Sequence, residues 1–177
     1  MRQRNIALIG FRATGKSTVG QILARKLGRE FVDMDQRLTS EAGRDIATWV
    51  EQDGWDSFRR SESGLLGIIS EQKGLVVATG GGIILDPQSR TVLRKHFFTV
   101  WLKATPQTIY ARLSSDPGSL RTRPSLSELP MEQEIVKVLS ERKSLYAQVA
   151  VIEIDTEGKH SIQIADEIVT LFSQCRP

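Results

Sequence analysis

The chain has 177 residues, enough for one domain with a substantial core and short for two. With 40% hydrophobic and 25% charged residues and no apolar run near the length of a membrane span, it reads as an ordinary soluble globular protein. The net charge of +3 comes without a basic run longer than two residues, which argues against nucleic-acid binding, and the single Cys175 excludes an internal disulfide and a cysteine metal cluster. Met1-Arg2-Gln3-Arg4 runs straight into apolar residues, so no signal peptide is expected and a cytoplasmic location is.

Residues 6–9 predict a first strand, and Gly10-Phe11-Arg12-Ala13-Thr14-Gly15-Lys16-Ser17-Thr18 follows it, reading G-x-x-x-x-G-K-[ST]. Glycines there let successive N–H groups point at an anion, and the helix that starts near Lys16 adds its positive end. Lys16 is suited to the β and γ phosphates of a nucleoside triphosphate and the Ser17 hydroxyl to Mg²⁺. Val19, Ile22, Leu23 and Leu27 give that helix its apolar face, and Gly28 stops it.

A second strand is expected over 31–34, with Asp33 and Asp35 two residues apart at its end and therefore on one side. Two carboxylates beside a phosphate loop suit Mg²⁺ and a hydroxyl proton, and capping of the next helix is the alternative. Gly54 and Gly74 bracket a helix on which Phe58, Leu65, Leu66 and Ile69 share a face. Glu62 falls in that stripe one turn after Arg59, either as a structural ion pair or to hold the arginine for a ligand. The third strand, 75–78, runs into Gly80-Gly81-Gly82, a costly sequence unless something must approach the backbone closely.

Asp86-Pro87 and Thr105-Pro106 mark two helix starts on either side of a strand at 97–102. Residues 114–130 hold three prolines, one glycine, four serines besides Ser114, and Arg121 and Arg123, with almost nothing to bury. This is a solvated linker or a mobile lid over phosphates, and the two arginines favour the lid. The helix over 131–146 carries Arg142 within the stripe Ile135, Val138, Leu139, Leu145 and Tyr146, although its solvent face was available. An inward arginine needs a partner, either an internal carboxylate or, as favoured here, a ligand carboxylate or phosphate. A last strand at 149–154 and a helix with Ile162, Ala165, Ile168, Val169 and Phe172 on its core face complete an alternating pattern, which predicts a parallel sheet between two helix layers. His96, His160, Trp49, Trp55 and Trp101 read as structural.

Taken together, these motifs make the chain similar to shikimate kinases over nearly its whole length. The carriers are residues 10–18, Asp33-Met34-Asp35, Asp53-Gly54 with Phe58-Arg59-Arg60 and Glu62, Gly80-Gly81-Gly82, Arg123-Pro124, and Glu141-Arg142 with Leu145-Tyr146. The resemblance implies a P-loop three-layer α/β/α fold like that of nucleoside monophosphate kinases, with a five-stranded parallel sheet. It further implies one kinase domain, a substrate-binding region around 33–62 and a lid around 113–127. The implied reaction moves the γ-phosphoryl of ATP to the 3-hydroxyl of shikimate, with Mg²⁺ as cofactor. Asp35 matches the carboxylate on the ring hydroxyls, and Lys16, Asp35 and Arg123 match the catalytic positions. Arg59, Glu62, Gly80, Gly81, Gly82 and Arg142 match the substrate site. Ala13, Thr14, Gly15, Lys16, Ser17, Thr18, Arg112 and Arg123 match the nucleotide site, with Arg112 against adenine, and Ser17 and Asp33 the metal site. The lid departs from the family's frequent R-P-L-L or R-P-T-L, reading Arg123-Pro124-Ser125-Leu126, with Arg121 an added charge. The expected partners are shikimate and ATP, with no nucleic acid or membrane, and the expected state is a monomer. A gluconate kinase is the nearest rival reading, and a nucleotide switch without an acceptor is another, disfavoured because no N-K-x-D motif is present.

Overall fold

Asn5–Ile9 (β1) is buried along its whole length, as a strand covered on both faces must be. The computed structural model describes residues 4–116 and 125–175, so Arg121, Arg123 and Pro124 lie outside the described residues. From β1 the chain continues through α1 (Lys16–Leu27), β2 (Glu30–Asp33), α2 (Met34–Ala42), α3 (Ile46–Ser70), β3 (Leu75–Ala78), α4 (Pro87–His96), β4 (Phe97–Lys103), α5 (Pro106–Ser114), α6 (Met131–Val149), β5 (Ile152–Asp155) and α7 (Ser161–Gln174). Among the described residues the sheet has five parallel strands in the order β2-β3-β1-β4-β5. Because β1 lies between β3 and β4, the loop after β1 opens where the strand order reverses, the usual ligand crevice of such sheets.

Alternate residues of β1 feed opposite cores. Ala7 and Ile9 join Phe58, Leu66, Trp101 and Tyr146 on the face covered by α3, α4 and α6. Ile6 and Leu8 join Leu23, Val100 and Ile168 under α1 and α7. A third, smaller cluster of Phe11, Ile109, Leu113, Ile135 and Val138 sits behind the phosphate loop, between α5 and α6.

The expected helix starts are present: Asp86 accepts from the backbone of Gln88 and Ser89, Thr105 from Thr108, and a proline follows each cap. The helix expected after Gly54 is present, and a further helical stretch from Ile46 precedes it, the two meeting at a kink where Gly54 has φ 78° and ψ 165°. Three local expectations need correction. Met34 opens α2, so Asp35 stands in the first turn of a helix rather than at the end of a strand. Val149 ends α6 instead of opening β5. Ile162 is 53% exposed, and Ile164 lies in the core in its place, on the same face as Ala165 and Ile168.

Candidate active site

The donor end is built by the turn from β1 into α1. Gly15, at φ 90°, takes a left-handed conformation that lets α1 start at Lys16 with its free N–H groups facing the loop. Thr14 turns its hydroxyl inward to the Phe11 carbonyl at 2.8 Å, which fixes the loop from within. The buried Lys16 ammonium donates to the carbonyls of Gly10 (2.9 Å) and Phe11 (2.7 Å), so its charge is held at the loop rim. Arg112, near the end of α5, donates to the Ala13 carbonyl at 3.1 Å and borders, with Thr14, Gly15 and Thr18, a cleft that opens toward Lys159. That cleft suits the base and sugar of a nucleotide whose phosphates lie on the loop.

Ser17 donates to Asp33 Oδ2 at 2.5 Å, while Asp33 Oδ1 caps α2 by accepting from the Gln36 N–H at 3.2 Å. Asp33 therefore performs the capping role and still presents an oxygen beside the phosphate loop. One hydroxyl and one carboxylate, completed by phosphates and water, fit the hard, largely hydrated coordination of Mg²⁺. No cluster of three or more metal-binding side chains occurs among the described residues, so a metal here depends on the nucleotide for further ligands.

On the other side of the loop lies a cleft that brings together Asp35, Arg59, Glu62, Arg142 and all three glycines of 80–82. Arg59 donates to Glu62 Oε2 at 2.5 Å and lies over the Trp55 ring, 4.9 Å from its centroid. Glu62 is almost wholly buried and its Oε1 has no hydrogen-bond partner among the described residues. Burial raises its carboxyl to about 7 despite the charge of Arg59, and Asp35 adds to the rise. Arg142 is buried with no carboxylate in salt-bridge contact among the described residues. It donates to the Gly81 carbonyl at 3.3 Å, and the same oxygen accepts from the Tyr146 hydroxyl at 2.6 Å. Burial lowers the pKa of Arg142, and the same cause raises Tyr146 to about 12. Two of the glycines leave room for these side chains: a Cβ on Gly80 would displace the Glu62 carboxylate, and one on Gly82 the Arg59 guanidinium.

The sequence reading missed three participants. Trp55 is the platform under Arg59, and Arg12, inside the phosphate loop, lines the same cleft and pairs with Glu134. Glu134 itself was legible by the logic applied to Arg142: positions 134, 138, 142 and 146 form one i, i+4 row of α6, and all four are buried. Leu126, assigned to a segment with little to bury, is half-buried against the third core cluster. Leu113 and Ser114, the expected start of the lid, belong to α5.

The family model for shikimate kinase matches residues 12–173. The chain is 44% identical to the shikimate kinase of Nitratidesulfovibrio vulgaris, over 82% of both chains. It is 38% identical to that of Syntrophus aciditrophicus, over 98% of this chain and 93% of that one. The shikimate kinase of Acinetobacter baumannii, solved in complex with shikimate, superposes with a TM-score of 0.91 at 33% identity, covering 97% of this chain and 93% of that one. Sequence match across the chain and a shared P-loop α/β/α architecture agree, and the chain belongs to the shikimate kinase family.

Proposed function

We propose that the two clefts on either side of the phosphate loop divide the work of the shikimate kinase reaction. The enzyme transfers the γ-phosphoryl of ATP to the 3-hydroxyl of shikimate, giving shikimate 3-phosphate and ADP on the route to chorismate and the aromatic amino acids. The observation that carries the assignment of roles is the pairing of two guanidinium groups, Arg59 and Arg142, with Asp35 in one cleft beside the loop. Two forked cations recognise one carboxylate, and a carboxylate opposite them can hold ring hydroxyls.

In this reading Arg59 and Arg142 bind the shikimate carboxylate, Glu62 orients Arg59, and the glycines 80–82 give the ring its close approach. Asp35 positions the 3-hydroxyl or takes its proton. Residues 13–18 hold the phosphates, Lys16 exchanges its carbonyl partners for phosphate oxygens, and Arg112 borders the adenine. Ser17 and Asp33 are the residues that would hold Mg²⁺, whose chemistry is to neutralise phosphate charge. Arg123, outside the described residues, is assigned to the phosphates by the family motif alone. Phosphoryl transfer has a loose transition state, so alignment and charge neutralisation are what these residues contribute. A single kinase domain working as a cytoplasmic monomer completes the proposal. Among the described residues no helix is long and apolar enough to cross a membrane.

A coupled assay of ADP release with ATP and either shikimate or gluconate tests the assignment. Turnover with shikimate and none with gluconate is expected, and the reverse preference would overturn it.

A further inference from the structure

Glu134 has no part in the chemistry assigned above, yet it is a buried carboxylate with donors from two separate segments. Oε1 takes the guanidinium of Arg12, which belongs to the phosphate loop and lines the acceptor cleft. Oε2 accepts from the Ser125 hydroxyl and from the backbone N–H groups of Leu126 and Ser127, both at 2.8 Å. Leu126 lines the same cleft as Arg12. One side chain on α6 therefore joins two parts of the acceptor wall that are more than a hundred residues apart in the chain. Burial pushes its carboxyl up, but the Ser125 hydroxyl, the Arg12 charge and the two backbone donors outweigh this and hold it below the usual range, so it is ionised at neutral pH. A buried ion pair is seldom more stabilising than apolar packing of the same volume, and geometry is what it can add.

We propose that Glu134 is a positioning residue for phosphoryl transfer, tying Arg12 to residues 125–127 so that the phosphate loop and the acceptor wall keep a fixed separation. The proposal rests on the shikimate kinase reading of the two clefts. A purely structural Glu134 would change melting temperature and leave the kinetic constants alone. A positioning Glu134 changes turnover and the use of shikimate while ATP binding stays.

The experiment is steady-state kinetics with ATP and shikimate on the full chain, its Arg12→Met and Glu134→Gln variants and the double variant, with ATP affinity measured by calorimetry. Each single substitution should lower kcat/KM for shikimate by about tenfold or more, and the double should lose no more than the worse single, as for groups that act as one unit. ATP affinity should stay within about twofold of the parent, because neither side chain is assigned to the phosphates. Parental kcat/KM in the singles, or losses that multiply in the double, would overturn the proposal. If Glu134→Gln is unfolded at the assay temperature by circular dichroism, Arg12→Met decides alone on the same criterion. A parent chain inactive on shikimate would instead overturn the underlying reading, and the tie with it.

Discussion

Arg142 shows how much one misplaced charge in an apolar stripe can say. Its neighbours in the row are Val138 and Tyr146, and it is anchored on the Gly81 carbonyl with no carboxylate in salt-bridge contact among the described residues, so its guanidinium keeps donors for a ligand. Arg142→Ala should raise the KM for shikimate at least about tenfold, equivalent to roughly 1.4 kcal/mol, with ATP KM little changed. Asp35→Asn should cut kcat while leaving ATP affinity nearly intact, as expected of a group that acts on the acceptor, and paired turnover and calorimetric titrations check both effects. Glu62 carries a pH prediction. The folded chain keeps its proton up to about 7, whereas the unfolded chain sheds it near the ordinary value of 4.5. Between these values the native state binds more protons, so this group makes stability fall as pH rises across the window. Urea unfolding at a series of pH values should show that slope reduced in Glu62→Gln. Ionised Glu62 also holds Arg59 more firmly, so shikimate KM should fall as pH rises through about 7 and lose that inflection in the same variant.

Elements with a strong chemical signal were legible in the sequence. The caps at Asp86 and Thr105, the four residues of β3 and the loop-to-helix turn at Lys16 all stand where composition and spacing put them. Misreadings occurred where tertiary contacts decide. Asp35 looked like a strand residue because the apolar run reached Met34, but Asp33 caps a helix there and changes the direction of the side chain. Gly54 does mark a helix break, as the sequence suggested, but the helical stretch from Ile46 ahead of it, where Arg44 reaches Gln52 and Asp53, went unread. Glu134 was legible as a charge in the same buried row as Arg142, but its partners, Arg12 of the phosphate loop and residues 125–127, are set by the tertiary fold, which no periodicity reports. The kink at Gly54 makes its own prediction. Its φ and ψ lie in a region essentially restricted to glycine, so Gly54→Ala should cost about 1–3 kcal/mol. A melting temperature lowered by roughly 2–4 °C per kcal/mol is the expected reading in a thermal scan. The kink lies beside Trp55, so shikimate KM should rise in parallel.

At the scale of the whole molecule, the two clefts share the loop between β1 and α1 as a common wall, and the proposed roles put nucleotide on one side and acceptor on the other. Such an arrangement brings two anions together, and Lys16, Arg59 and Arg142 around it would offset their repulsion. Chelation separates the metal's role from the fold's. EDTA should abolish turnover, and excess Mg²⁺ should restore it. The melting temperature of the nucleotide-free chain should not move, because the contact between Ser17 and Asp33 is made by protein atoms alone. A drop in melting temperature on chelation would place the ion in the fold instead.

The Gly81 carbonyl that receives both Tyr146 and Arg142 has a consequence for redesign. A peptide oxygen cannot be altered by substituting its own residue, so the aim of the guanidinium is dictated from the helical partner. Libraries that seek new acceptors would do best to vary that row of α6, where one turn forward or back relocates the cationic tip by about 5.4 Å along the axis.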